Sequence, residues 1–375
     1  MTQLMLSACV LAAAASGDGR IAWNYSVLCL SDDLRLAALA PELPRDGQPQ
    51  SILVWDLKSE KIVAEIPGND RHIGMQAYKF FGDERLLLSD GKKLAIYDLR
   101  KSACVWQTTL NAWVGASAVS PSNDLIAAST LTEGWLRRKG AIHFFRKEGA
   151  SYVAYQTSRY RTLDCLSLSF DASGDSLLAM QIGDEEQLLS LSSKTGELQY
   201  ACTIDCHALV AFAVVGELVI VGNSRGKPLI INTKAETGMQ LLGHGRYPSG
   251  VCVSRDLGLI VTADDHAVCV WKIDGVQPLW WFRETEERMP RFTRLFLGRD
   301  RDAKDLLVVA RSYGADNYAY IYSVMSTWDM AARKMVSKCK MGRTIEKRAL
   351  PAEQGDGMTS AFKATNESAI RMIRP

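Results

Sequence analysis

The chain has 375 residues, of which 47% are hydrophobic and 23% are charged, a composition typical of a folded globular protein. Its 44 basic and 42 acidic residues leave a formal net charge of +2. This near balance disfavours a dedicated nucleic-acid binder, which would carry a clear basic excess. Charged residues interrupt every apolar stretch, so no segment has the length of a membrane span.

Two features of the sequence indicate the cellular compartment of the protein. Residues 1–16 are apolar and rich in alanine, but they lack the lysine or arginine that a secretory signal carries near its start. We therefore interpret this segment as a strand of the fold. The nine cysteines are odd in number and most lie in apolar runs, which is typical of buried thiols in a reducing environment. The sequence predicts a cytoplasmic protein without a membrane association.

A unit of short strands and polar turns recurs along the chain. The first strand ends in a turn with Asp, Ser, Asn or Gly, and the third strand ends in an aromatic residue that is often followed by Asp. Successive third strands are about 39 to 51 residues apart, which is the length of one four-stranded propeller blade. The positions that anchor these third strands are Trp55, Tyr97, Phe145, Leu191, Asn232, Trp271 and Tyr322.

Seven anchors predict an all-β fold: a single β-propeller of seven four-stranded blades over residues 1–375. Stacking sheets around an axis buries faces that one sheet could not bury alone. We expect residues 1–23 and 344–375 to supply N- and C-terminal strands that share the closing blade, or, as the alternative, an eighth blade. A helix is expected near Ser326–Lys338, where helix formers cluster. The least repeat-like segments, expected to be loops or insertions, are 40–50, 131–140, 284–291 and 338–357.

These repeats resemble the WD40 family. Trp55-Asp56 and its variant Tyr97-Asp98 end third strands, and Gly243-His244 precedes a first strand. The following unit matches the family's structural hydrogen-bond network of His, Ser or Thr, Asp and Trp through four residues: His244, Thr262, Asp265 and Trp271. The resemblance implies a rigid scaffold for protein assembly that does not catalyse a reaction.

The sequence offers little for catalysis. No nucleophile or metalloprotease motif occurs. Cys202, Cys206 and His207 could offer metal ligands, but no second ligand pair with zinc spacing lies nearby, and buried thiols explain them better. We therefore predict no enzyme activity, no metal and no cofactor. The alternative is a ligand-binding or catalytic propeller, of the hydrolase or lyase type, with a site in the central channel.

Aromatic and arginine side chains indicate the binding surface, because they dominate the energies of protein interfaces. Strand alternation places Trp280 and Phe282 on one side, in the core, and Trp281 with Arg283 on the other. The candidate partner-binding residues are Trp135, Arg137, Arg138, Trp281, Arg283, Arg288 and Arg291. We predict a subunit of a hetero-complex that docks a partner protein. The basic run from Arg333 to Arg348 supports a second alternative, a subunit of a nucleic-acid-associated complex.

Overall fold

The structure of the chain is a computed structural model. It describes residues 25–342, except for intervening segments at 32, 42–50, 58–60, 68–77, 83, 132–139, 161–163, 183–186, 204–208, 216, 224–227, 234–236, 242–243, 245–247, 255, 276, 284–289, 301 and 315–319. The terminal segments predicted to help close the ring, 1–23 and 344–375, lie outside the described residues.

The described residues form seven antiparallel sheets, each of four consecutive strands. Blade 1 holds β1 (Tyr25–Leu30), β2 (Leu36–Pro41), β3 (Ser51–Asp56) and β4 (Lys61–Pro67). Blade 2 holds β5 (Lys79–Phe81), β6 (Arg85–Asp90), β7 (Lys93–Asp98) and β8 (Ala103–Thr109). Blade 3 holds β9 (Trp113–Val119), β10 (Leu125–Leu131), β11 (Gly140–Glu148) and β12 (Ser151–Tyr160). Blade 4 holds β13 (Asp164–Phe170), β14 (Ser176–Ile182), β15 (Gln187–Ser192) and β16 (Leu198–Thr203).

The remaining blades follow the same order. Blade 5 holds β17 (Leu209–Val215), β18 (Leu218–Asn223), β19 (Leu229–Asn232) and β20 (Thr237–Gln240). Blade 6 holds β21 (Gly250–Ser254), β22 (Leu259–Ala263), β23 (Ala267–Lys272) and β24 (Pro278–Arg283). Blade 7 holds β25 (Pro290–Arg299), β26 (Asp305–Gly314), β27 (Tyr320–Asp329) and β28 (Lys334–Gly342). The prediction of an all-β propeller with seven four-stranded blades is confirmed.

The blades stack into a ring around a central channel. From blade 1 through to blade 7, the first strand of each blade contacts the first strand of the next, so these strands are innermost and the fourth strands are outermost. Each of the seven seams between neighbouring blades encloses one cluster of buried apolar side chains. Burial of these side chains away from water is the main stabilising term of the ring.

The described ring closes where blade 7 meets blade 1, and the terminal segments expected to share a closing blade, 1–23 and 344–375, lie outside the described residues. Within the described residues, every sheet is made of consecutive strands. Blade 7 packs on blade 1, with Val308 and Met325 against Leu39 and Trp55. The arginine Arg294 of β25 also donates a hydrogen bond to the carbonyl oxygen of Leu28 in β1. Packing of side chains across the seam, together with this hydrogen bond, therefore closes the described ring.

The third strands carry a recurrent β-bulge. In blades 1 to 4 and in blade 6 the register between third and fourth strands shifts at the sequence-predicted anchor, as at Trp55 and Trp271. In blade 7 the equivalent bulge lies at Trp328, not at the predicted anchor Tyr322, although both residues belong to β27. Trp328-Asp329 is thus the tryptophan–aspartate pair of that blade, and the spacing analysis placed its anchor six residues too early.

The prediction of a helix near Ser326–Lys338 is wrong. This segment contains the end of β27, a turn and the start of β28. The turn begins with a hydrogen bond from the amide of Ala332 to the side chain of Asp329, and Arg333 adopts a φ of 52°. Pairing of both strands within blade 7 overrides the local helix propensity. No helix in the described part of the chain is long and apolar enough to span a membrane.

Candidate functional site

Blade 6 contains a buried network of polar side chains. The two ring nitrogens of His244 contact the carboxylate of Asp264 at 3.0 Å and the hydroxyl of Thr262 at 2.5 Å. The indole N–H of Trp271 donates to the same hydroxyl at 2.8 Å. Cross-strand pairing explains this geometry, because Thr262 lies opposite Cys269, two residues before Trp271, on one face of the sheet. The network holds His244 against β22 and β23.

The aspartate in this network is Asp264. The resemblance to the family pattern implies Asp265 at this place, but the carboxylate that contacts His244 is that of Asp264. Asp264 also accepts hydrogen bonds from the amides of His266 and Ala267, which close the turn between β22 and β23. Burial alone raises the pKa of Asp264, but the hydrogen bonds from His244 and these amides outweigh burial and lower the pKa to about 2.

A buried arginine joins this turn to the next blade. The guanidinium of Arg311 in β26 donates to the backbone carbonyls of Asp264 and Asp265 at 3.2 Å each. Its side chain is almost completely inaccessible to solvent. The carbonyl of Asp265 therefore contributes to the contact between blades 6 and 7.

The outermost strand of blade 6, β24, alternates between half-buried and exposed side chains. Trp280 and Phe282 pack at the seam with blade 7, where Phe282 stacks on Trp328 with ring centroids 3.6 Å apart. Trp281 is 56% exposed, and the guanidinium of Arg283 lies 5.4 Å from the centroid of its ring. The structure thus places Trp280 and Phe282 inside and Trp281 with Arg283 outside, as the alternation predicted.

Sequence reasoning missed one neighbour of this pair. Leu279 lies two residues before Trp281 on the same side of β24 and is also exposed. Leu279, Trp281 and Arg283 together are called the blade 6 rim below. The signal that could have found Leu279 was the same two-residue alternation that identified Trp281.

The other candidate partner-binding residues are not brought to this rim by any described contact. Trp135, Arg137, Arg138 and Arg288 lie outside the described residues. The backbone of Arg291 belongs to β25, on the channel side of blade 7, and its side chain is not described. Among the cations proposed for nucleic-acid binding, Arg333 and Lys334 are exposed near the outer edge of blade 7.

The candidate metal ligands receive no support from the geometry. Cys202 lies in the outer strand β16, whereas Cys206 and His207 are outside the described residues. Within the described part of the chain, no three side chains of His, Cys, Asp or Glu are grouped so that they could hold a metal ion.

The innermost strands contain more cationic than acidic residues. The bounds of the seven first strands include four cations and one carboxylate, namely Lys79, Arg291, Arg294, Arg299 and Asp164. Arg299 is paired with Asp305 at 2.7 Å. Arg294 and Lys79 are both exposed. Apart from Arg291, none of these residues was a candidate on sequence grounds, because only the ring brings separate first strands around one channel.

Seven sheets of four strands around a channel, sealed by apolar seams, define the class of this protein: a seven-bladed β-propeller. No protein-family model matches the chain, and no curated protein shows significant similarity to it. The resemblance to WD40 repeats therefore depends on the residues of blades 1, 2 and 6 themselves.

Proposed function

We propose that this protein is a non-enzymatic interaction scaffold and that it docks a partner protein on the blade 6 rim. The observation that carries the proposal is the exposure of Trp281 beside Arg283 on an outermost strand. Tryptophan and arginine are the residue types that most often dominate interface energies. A large exposed ring on a rigid sheet needs little ordering before it binds, which favours affinity.

The support for a non-catalytic role comes from the histidines whose contacts are described. His244 is held between Asp264 and Thr262. His143 is held between the hydroxyls of Thr130 and Thr157, both at 3.1 Å, and burial together with the charge of Arg159 lowers its pKa. Both imidazoles thus have structural partners on both ring nitrogens.

We also propose that the protein resides in the cytoplasm as a subunit of a hetero-complex. Five cysteines in the described segments form no disulfide, and they are Cys29, Cys104, Cys202, Cys252 and Cys269. Burial raises the pKa of Cys252 above its ordinary range and that of Cys269 to about 12, so both stay protonated and unreactive. Thiols of this kind are compatible with a reducing compartment.

A quantitative capture experiment tests the docking proposal. The tagged full-length chain, Trp281→Ala and Leu198→Ala would each be incubated with the same extract of the native host, and bound proteins would be quantified by mass spectrometry. Leu198 is the matched control, because it is also apolar, is 53% exposed and lies on the outer strand of blade 4. We expect one stoichiometric partner that Trp281→Ala loses at least about tenfold, as is usual for a hot spot.

The control decides how the capture is interpreted. Retention of that partner by Leu198→Ala places the contact at blade 6. Equal capture by all three proteins would contradict the role of the rim, and the lack of any stoichiometric partner would contradict the scaffold function itself.

A further inference from the structure

We propose that the partner docks on the blade 6 rim as an extended segment, which adds a fifth strand to blade 6 along the free edge of β24. This inference rests on the docking function proposed above and specifies the kind of partner. The segment carries an apolar side chain beside Trp281 and, two residues away on the same side, a carboxylate for Arg283.

The strand β24 has an open backbone edge. Among the described strands it is the last of its sheet and pairs with β23 alone. At the two ends of the hairpin of β22 and β23, the amide of Asp264 donates to the carbonyl of Ala267 and the amide of Ile273 donates to the carbonyl of Gly258. Hydrogen-bonded pairs alternate along an antiparallel ladder. The odd-numbered residues of β23 therefore bond to β22, and its even-numbered residues bond to β24.

This alternation determines which backbone groups of β24 point outward. The even-numbered residues of β23 lie opposite Trp280 and Phe282, so the backbone groups of these two residues are used within the blade. The amides and carbonyls of Trp281 and Arg283 point to the open edge instead. The residues whose side chains are exposed thus also present the backbone groups with which an added strand pairs.

The side chains of β24 distinguish its edge from those of the other blades. In the described part of the chain, the outermost strands of blades 1, 3, 4 and 7 carry one large exposed apolar side chain each. In contrast, β24 carries two, Leu279 and Trp281, two residues apart on one side. A strand that pairs with this edge places its own side chains, which have the same spacing, directly beside them.

The charge of the rim favours an acidic segment. Arg283 is exposed, and none of the ion pairs among the described residues involves it. Opposite charges on neighbouring strands are stabilising, whereas like charges directly opposite each other are destabilising. The strand β24 contains no carboxylate of its own, so a second copy of this chain is a poorer occupant of the edge.

Peptide selection tests the kind of partner. A phage library of random linear dodecapeptides would be selected on the immobilised full-length protein and depleted on Trp281→Ala. We expect enrichment of peptides in which an apolar residue and an acidic residue are two positions apart. The proposal is overturned if nothing is enriched over Trp281→Ala, or if the enriched peptides lack an acidic residue.

Hydrogen exchange at single-residue resolution then shows whether a selected synthetic peptide pairs with the backbone. At saturating peptide, exchange of the amides of Trp281 and Arg283 should slow about tenfold or more, because both gain a hydrogen bond. The amides of Trp280 and Phe282 are the internal control, since they are already bonded to β23 and should change less. Unchanged exchange at Trp281 and Arg283 overturns strand addition even if the peptide binds.

Two variants at one position separate the backbone from the charge, with peptide affinity measured by fluorescence anisotropy. Arg283→Gln removes the charge and should weaken binding up to about fivefold, as for an exposed ion pair. Arg283→Pro also removes the outward amide, which an edge strand tolerates, and should weaken binding about fivefold further. Equal affinities of the two variants overturn the backbone pairing. If Arg283→Pro does not fold, hydrogen exchange in the unchanged protein decides the question.

Capture from the host extract keeps this inference distinct from the docking function. If Trp281→Ala loses the captured partner but the edge amides gain no protection from the peptide, the partner docks on the rim without adding a strand. If capture does not depend on Trp281, the docking function itself is overturned, and strand addition by the partner is overturned with it.

Discussion

Blades 6 and 4 share the same strand order and the same bulge in the third strand, but they are stabilised in different ways. In each blade the bulged position of the third strand is completely buried and faces an apolar residue of the second strand: Trp271 faces Ile260, and Leu191 faces Leu177. The next position on that face is Thr262 in blade 6. In blade 4 it is Ala179, which offers no hydroxyl and packs in an apolar cluster.

Blade 4 receives side-chain hydrogen bonds from the outer strand of blade 3. The long outer strand β12 of blade 3 reaches the turn between β15 and β16, where Tyr155 and Ser158 donate to the carbonyls of Ser193 and Gly196. Gln156 donates to the carbonyl of Thr195 at 2.6 Å. We call these three bonds the β12 clamp. A blade thus keeps its four strands and its bulge when apolar packing and contacts with the neighbouring blade take the place of the polar network.

Loss of the Trp271 side chain should have the largest effect. Trp271→Ala creates a cavity in a completely buried site and leaves the Thr262 hydroxyl without its indole donor, so we expect a loss of about 3–5 kcal/mol in the free energy of unfolding. Urea unfolding followed by circular dichroism measures it. Trp281→Ala, in the same blade but exposed, should change stability by less than about 0.5 kcal/mol. Similar losses in both variants would contradict the assigned burial.

The β12 clamp is tested at Gly196, which has a φ of +68°. A Cβ at this position would lie 2.6 Å from Ser158 Oγ and 2.7 Å from Gln156 Cγ. Gly196→Ala should therefore cost about 2–4 kcal/mol, from the left-handed backbone and from displacement of the clamp. The free energy of unfolding from urea titration checks this value.

Gly149 is the matched glycine for this experiment. Its φ is +62°, and an added Cβ would meet nothing within 4 Å. Gly149→Ala should cost only the backbone part, about 1–2 kcal/mol. If the two variants lose the same stability, the clamp contributes nothing measurable to blade 4.

The smallest expected effect is the loss of folding stability at low pH. The pKa of Asp264 is lowered from its ordinary value of 3.8 to about 2, so the folded state binds this proton less readily than the unfolded state. Its stabilisation is complete above pH 3.8 and is lost as the pH falls through 2. We expect about 2 kcal/mol from this group, and measurement of unfolding free energies between pH 5 and pH 2 in the unchanged protein and Asp264→Asn isolates it. Parallel pH profiles for the two proteins would show that the network does not depend on the carboxylate charge.

Much of the architecture could be predicted from the pattern of residues. All seven third-strand anchors fall within the third strands of their blades, from Trp55 in β3 to Tyr322 in β27. The polar turns expected after the first strands are present at Ser120–Asp124 in blade 3 and at Asp171–Asp175 in blade 4, with Asn123 and Gly174 in the left-handed conformation. These features are local, because the two-residue alternation and the turn chemistry act within one hairpin.

The repeat, the strand alternation and the side of β24 on which Trp281 lies can be read from the order of residues, since each depends on neighbours within a few residues. The contact of His244 with Asp264 rather than Asp265, and the bulged position of Trp328 in blade 7, follow from the tertiary structure. The same is true of the contacts by which β12 clamps the next blade. These contacts join residues that are distant in the chain or depend on the exact register of a turn, and closure of the ring is what brings them together.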